Sequence, residues 1–113
     1  RDWLRAAPGA PGETSDTVRA RVTAAQTLQF DRQGKLNAHL DVRELGTSAP
    51  LATSDREFLA LAFEHFRMTA RSYHRVIKIA RTIADLADRG EIVQRDLAEA
   101  LQLRRMDHAR IER

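Results

Sequence analysis

The chain has 113 residues, a formal net charge of +3 and no cysteine. The absence of cysteine excludes disulfides and thiolate metal sites, and no stretch approaches the roughly 20 apolar residues of a membrane span. A hydrophobic fraction of 42% suffices for one small core, and a soluble cytoplasmic protein is the default expectation. Lys35 and Lys78 are the only lysines, so arginine supplies nearly all of the basic charge. This excess fits contact with phosphate or nucleic acid, and it equally fits coding bias in an alanine-rich chain.

Residues 1–14 are predicted to form a linker. Pro8, Gly9, Pro11 and Gly12 leave no room for a regular element there. Trp3 and its neighbour Leu4 are the apolar groups of this segment that could be anchored.

The first helix is predicted to begin with Ser15 or Asp16 as its N-cap and to end at Gly34. Helical spacing predicts one buried face, made of Val18, Val22, Ala25 and Leu28. Residues 35–40 should follow as a loop or a single turn.

Two further helices are predicted before residue 67. Asp41 is placed to cap a short helix through Leu45, ended by Gly46 and the Ser48-Ala49-Pro50 break. Ser54 and Glu57 have the spacing of a capping box, which opens a helix to about Phe66. Its inward residues should be Phe58, Leu59, Ala62, Phe63 and Phe66.

The strongest helical pattern runs from Thr69 to Arg89, with Thr69 as N-cap and Gly90 as the glycine after the last turn. Its apolar residues fall three and four positions apart and predict a face buried on more than one side; they are Tyr73, Val76, Ile77, Ile79, Ala80, Ile83, Ala84, Leu86 and Ala87. The carboxylates of Asp85 and Asp88 are expected to pair with Arg81 and Arg89 along the helix.

Residues 91–93 are predicted to be a short extended connector in which Ile92 plugs the core. A last helix should begin near Gln94 or Arg95 and bury Leu97, Ala98 and Leu101, with a tail at 106–113. No strand pattern is present, so the fold class is all-α, a small bundle of four to five helices over residues 15–105.

The first two turns after Thr69 carry a basic cluster without an acid, formed by Arg71, His74, Arg75 and Lys78. Cations are disfavoured at a helix N-terminus, where the unpaired N–H donors attract anions. Arginines in this place therefore suit a phosphate. From the charge pattern alone, the alternative of a solvated arginine-rich face is the stronger one.

Enzyme motifs are missing from the sequence. It contains no Walker A loop, GxGxxG, HExxH or GxSxG, and no nucleophile beside a base. The histidines at 39, 65, 74 and 108 have no metal-ligand spacing. We therefore expect no catalytic residue and no metal site in this chain itself.

Two segments resemble the C-terminal domain of the magnesium-chelatase-like AAA+ ATPases of the YifB/ComM group. The first, residues 12–40, contains Arg21-Val22, Ala24-Ala25, Gln29, Arg32 and the KLNA of residues 35–38. The second, residues 69–105, begins with Thr69-Ala70-Arg71, where the family has S-x-R, and contains ARTIADL at 80–86. The chain departs from the family pattern at Gln26, Thr69 and Asp96.

The resemblance implies a helical lid that follows a P-loop AAA+ core absent from this chain. Arg71 matches the sensor 2 arginine, which contacts the γ-phosphate of ATP bound with Mg²⁺ by the core, and Arg75 is a supporting residue. It also implies an ATPase when full length, hexameric assembly with neighbouring subunits, and action on DNA rather than magnesium insertion. No nucleotide is expected on the isolated domain.

A second hypothesis comes from the arginine content alone. A free-standing basic helical module would bind nucleic acid with a steep dependence on salt. The aromatic residues speak against it, because Phe58, Phe63, Phe66 and Tyr73 lie at core spacing and are not free to stack on bases.

Overall fold

A computed structural model describes the backbone of residues 14–111 and the side chains of residues 14–105. This part of the chain forms five α-helices and one short 3-10 turn, and it contains no strand. The helices are α1 (Ser15–Gln33), α2 (Val42–Ser48), α3 (Thr53–His65), α4 (Ala70–Leu86) and α5 (Gln94–Ile111), with the 3-10 turn (Asn37–His39) between α1 and α2. The predicted all-α bundle is confirmed. None of the described helices combines the length and apolar composition needed to cross a membrane.

Helix α4 is the centre of the bundle and packs most extensively on α5. Val76, Ala80 and Ala84 of α4 have no exposed surface, and neither have Leu97 and Ala100 of α5. The small alanines let the two helices approach closely, which explains why alanine-rich helices can form a core. Ile92 is buried in the same cluster, as predicted for the connector before α5.

Helix α3 adds aromatic side chains to the edge of this core. Leu59 and Ala62 are buried, and the phenylalanines Phe58, Phe63 and Phe66 are half-buried against the core cluster. The Phe63 ring meets the Tyr73 ring edge to face, with centroids 5.6 Å apart, a favoured geometry for aromatic pairs. The inward face predicted for this helix is confirmed.

The predicted helix starts are partly right. Thr69 caps α4 and Asp41 caps α2, each within a capping box. Helix α1 is capped by Thr14 rather than by Ser15 or Asp16. The predicted capping box at Ser54 is wrong, because the N-cap of α3 lies two residues earlier, at Ala52, and has no side-chain hydrogen bond.

The predicted helix ends also need correction. Gly34 ends α1 in the left-handed conformation, φ 77°, as predicted. Helix α2 continues past Gly46 and ends at Ser48, with Ala49 as its C-cap, within the predicted Ser48-Ala49-Pro50 break. After α4, Asp88 takes the left-handed position, with φ 57°, and the prediction for Gly90 is wrong. The N–H of Arg89 bonds to the carbonyl of Ala84 at 2.9 Å, which closes a Schellman motif around Asp88.

Two apolar faces differ from the prediction. On α1 only Ala25 and Gln29 are buried, whereas three residues assigned to the buried face remain partly exposed, at 36% to 42%: Val18, Val22 and Leu28. On α5 the buried alanine is Ala100, and Ala98 is exposed. The predicted residues lie at helical spacing, but α4, the main helical neighbour of α1, covers only part of the helix.

Candidate functional site

Arg71 is the second residue of α4 and is exposed. The capping box holds the turn beneath it: the Ser72 N–H donates to Thr69 Oγ1 at 3.1 Å, and the Thr69 N–H donates to Ser72 Oγ at 3.0 Å. The N–H groups of Ala70 and Arg71 belong to the first turn, where a helix offers no carbonyl partner. The entrance of α4 therefore combines free backbone donors, the positive end of the helix dipole and a guanidinium.

The other members of the predicted basic cluster differ in their surroundings. Arg75 lies one turn further along the same face and is exposed. Lys78 is turned towards the 3-10 turn, where its Nζ donates to the Ala38 carbonyl at 3.2 Å. His74 is half-buried. No acidic residue occurs in the first turn of α4, so Arg71 and Arg75 form the exposed cationic part of this entrance.

A shallow groove of about 250 Å³ runs beside the first turns of α4. Tyr73, His74 and Ile77 form its α4 side, and Arg56 of α3 lies at its other side. The remaining lining is mostly apolar and comes from α2 and the loop after it. The groove places an apolar surface next to the basic entrance.

A buried ionic cluster joins α1 to the second half of α4. The guanidinium of Arg32 donates to both oxygens of Asp85, each at 3.0 Å. Arg81 lies 3.1 Å from the same carboxylate, with side-chain exposures of only 2% for Arg81 and 1% for Asp85. Two arginines therefore share one buried carboxylate.

Asn37 of the 3-10 turn completes this cluster. Its amide nitrogen donates to Asp85 Oδ2 and to Thr82 Oγ1, both at 3.0 Å. Its amide oxygen accepts from Arg32 at 2.9 Å, and its backbone N–H donates to Gln29 Oε1 at 2.8 Å. One asparagine thus links α1, the turn and α4.

Arg81 also binds the backbone of the turn that follows α4. It donates to the carbonyls of Arg89, at 2.8 Å, and Gly90, at 3.1 Å. Its Nε is buried and has no hydrogen-bond partner within the described part of the chain. Burial lowers the pKa of Arg81, although the negative charge of Asp85 opposes the shift. The Arg81 side chain therefore stabilises the turn after α4 and is too deeply buried to contact a ligand.

Arg89 pairs with Asp96 at the start of α5, through two hydrogen bonds of 2.7 Å. Burial by itself would raise the pKa of Asp96, but the bonds from Arg89 and from the Val93 N–H outweigh it and lower the pKa. The bond to Asp96 raises the pKa of Arg89.

The predicted pairing of Asp85 with Arg81 is confirmed, although it is buried. The predicted pairing of Asp88 with Arg89 is wrong.

Comparison with known proteins agrees with this architecture. Residues 12–104 match the family model of the magnesium chelatase subunit ChlI C-terminal domain. The chain belongs to this family. It is 42% identical over 98 residues to the competence protein ComM of Haemophilus influenzae, and 41% identical over 97 residues to the uncharacterized protein YifB of Escherichia coli K12.

The chain spans only a small part of the length of these relatives. The matched segments cover 87% and 86% of this chain but only 19% of each relative. The predicted resemblance to the YifB/ComM group is therefore confirmed for the domain itself.

The structure separates two roles within the segments that carry the resemblance. The buried cluster brings Asn37 of KLNA together with three residues of ARTIADL: Arg81, Thr82 and Asp85. These motifs hold α1 and the 3-10 turn against α4. Arg71 lies outside the cluster, on the exposed first turn. Sequence reasoning missed the cluster, because Arg32 and Asp85 are 53 positions apart, and the role predicted for Arg71 stays a prediction.

Proposed function

We propose that this domain is the helical lid of a AAA+ ATPase and that Arg71 is its sensor 2 arginine. Membership of the chelatase C-terminal family and the similarity to ComM and YifB support this proposal. In the full-length protein a P-loop core would bind ATP and Mg²⁺. The lid would sense the γ-phosphate and couple hydrolysis to the motion of neighbouring subunits. A hexamer that acts on DNA in the cytoplasm is the corresponding assembly.

The observation that carries the proposal is the contrast between Arg71 and three other arginines of the matching segments, Arg32, Arg81 and Arg89. Arg32 and Arg81 are engaged with Asp85, and Arg89 is engaged with Asp96. Arg71 is exposed beside the donors of a helix N-terminus. It is the motif arginine best placed to meet a phosphate on another domain.

The entrance of α4 fits a nucleotide phosphate in its donor chemistry. Backbone N–H groups and a guanidinium supply hydrogen bonds and positive charge, and a phosphate oxygen accepts both. Mg²⁺ bound with ATP neutralises charge on the phosphates in phosphoryl transfer. Arg71 would add charge stabilisation as negative charge shifts during the reaction, and Arg75 would orient the entrance or pair with the core.

The test is Arg71→Ala in the full-length protein, measured as the steady-state rate of ATP hydrolysis. Loss of one preorganised donor to a developing charge reduces turnover by about a hundredfold, so a fall of this order is expected. Arg75→Ala should reduce turnover less.

Arg95→Ala is the matched control. Arg95 is also an exposed arginine at the second position of a helix, in this case α5, and its removal should leave turnover unchanged. Circular dichroism of the 113-residue chain should show the same helicity for both variants. Equal turnover in Arg71→Ala and the parent protein would refute the assignment.

The second candidate is the nucleic-acid-binding module, for which the exposed arginines at the α4 entrance provide the positive charge. Among the described aromatic residues only Phe30 is mostly exposed, at 54%, so few rings are available for stacking. If this candidate is right, the isolated chain binds DNA at low salt with an affinity that falls steeply as salt increases. Absence of binding at low salt would eliminate it.

A further inference from the structure

One stripe of α1 is covered along only half of its length. Val18, Val22, Ala25 and Gln29 follow one another at helical spacing on the same face. Ala25 and Gln29 are 3% and 5% exposed, whereas Val18 and Val22 are 38% and 42% exposed. The apolar stripe therefore continues past the body of the bundle towards the N-terminal end of the helix.

The covered half is firmly attached. Arg32 near the end of α1 is bound to Asp85, and Gln29 accepts the backbone N–H of Asn37. Helix α4 is the main helical neighbour of α1. A helix of 19 residues is about 28 Å long at 1.5 Å per residue, so its N-terminal half, which carries Val18 and Val22, is about 14 Å long.

The exposed valines are poor choices for a helix surface in water. β-Branched side chains lose rotamer freedom in a helix and are less favourable than alanine, leucine or charged residues. At Val18 and Val22 burial offsets that cost only in part, because these residues are still 38% and 42% exposed in the described part of the chain. Two such residues in continuation of a docked face indicate a contact that the bundle itself does not supply.

We propose that the Val18–Val22 stripe of α1 is the docking surface for an apolar patch of the domain that precedes this one in the full-length protein. The relatives are about five times as long as the matched segment, and the matched family model is a C-terminal one. Helix α1 is the first element of the described chain, so its N-terminal half adjoins that junction. The proposal rests on the proposed function only for the presence of a preceding domain.

Because Arg32 and Asp85 join α1 to α4, the docked helix would carry the position of the preceding domain to the helix that bears Arg71. The buried cluster would keep the two helices together as one unit. The stripe is thus the fixed contact of the lid, and the entrance of α4 is the contact that reports the nucleotide.

The test compares amide hydrogen exchange of residues 15–24 in the full-length protein and in the isolated 113-residue chain. Docking should slow exchange in the full-length protein by about tenfold or more. The double variant Val18→Ser/Val22→Ser should lose this difference. The control is Val42→Ser/Leu61→Ser, which alters two other exposed apolar residues, 62% and 71% exposed, and should keep it. Equal exchange in the full-length protein and the isolated chain would overturn the proposal.

Two other occupants give different results in the isolated chain. Trp3 is the only tryptophan, so its fluorescence reports residues 1–13. A blue-shifted emission that moves to the red in Val18→Ser/Val22→Ser would assign the stripe to that segment and overturn the proposal. A dimer that the same variant dissociates, seen by light scattering, would assign the stripe to a second copy and also overturn it. Trp3 emission and molecular mass that do not change with the variant support it.

The readout is independent of the ATPase assay. If Arg71→Ala leaves turnover unchanged but the protection of residues 15–24 is present, the sensor 2 assignment fails and the docking surface stands. If turnover falls and protection is absent, the reverse holds.

Discussion

Asp85→Asn is the most direct test of the buried cluster. The substitution keeps the size of the side chain and removes its charge. The carboxylate receives two bonds from Arg32, one from Asn37 and a contact of 3.1 Å from Arg81. An asparagine would turn one amide N–H₂ group towards these donors, and the buried Arg81 would lose its counter-charge.

The expected loss follows from these contacts. Removing one partner of a buried ion pair costs about 3 to 5 kcal/mol. The carbonyls of Arg89 and Gly90 still accept from Arg81, so we expect the lower value, about 3 kcal/mol. A small domain has about 5 to 15 kcal/mol of stability in total, and the variant should be clearly weakened.

Urea unfolding followed by far-ultraviolet circular dichroism measures this loss. Asp88→Asn is the matched control, because Asp88 is exposed and asparagine also tolerates its left-handed conformation. The control should change the free energy of unfolding by less than about 0.5 kcal/mol. A loss below about 1 kcal/mol in Asp85→Asn would refute the view that the cluster holds α1 to α4.

The other predictions concern pH and chain geometry. The pKa of Asp96 is lower in the folded protein than its unfolded value of 3.8, so this carboxylate stabilises the fold at a pH above that value. The stability is lost as the pH falls through the folded pKa. Asp96→Asn should therefore flatten the fall of the urea midpoint between about pH 5 and about pH 2. If the wild-type midpoint were flat there, the pairing with Arg89 would carry no stability. Gly34→Ala should cost about 1 kcal/mol, because Gly34 has φ 77° and an added Cβ meets nothing within 4 Å, so strain is the only penalty. Gly90→Ala should change stability by less than about 0.5 kcal/mol, since Gly90 has open space and no positive φ; equal costs at both glycines in thermal melts would contradict this.

The fold was largely predictable because its elements depend on local patterns. The α4 periodicity, its Thr69 cap and the phenylalanines of α3 required only spacing and capping chemistry. The errors occurred where a distant part of the chain decides. The α1 stripe was predicted to be buried throughout, but only Ala25 of its four residues is buried. Gly90 was the expected helix end, yet Asp88 took that conformation while Arg81 bound the carbonyls behind it.

The candidate site divides in the same way. Arg71 was singled out by the family resemblance, because its charge in the first turn of a helix did not by itself outweigh the alternative of a solvated face; its role stays a prediction. The cluster around Asp85 could not be predicted, since Arg32 looked like an ordinary surface arginine at the end of α1. Only packing brings it to a carboxylate 53 positions away.

The sequence by itself determined that this protein is a small all-α domain and which turn of α4 presents its exposed arginine. Periodicity and capping act within a few residues, so they can be read along the chain. The tertiary structure decided which charges are buried and which remain available, because burial depends on which helices meet. It thereby showed that residues of KLNA and ARTIADL join α1 and the 3-10 turn to α4, and that Arg71, in the first turn of α4, is exposed.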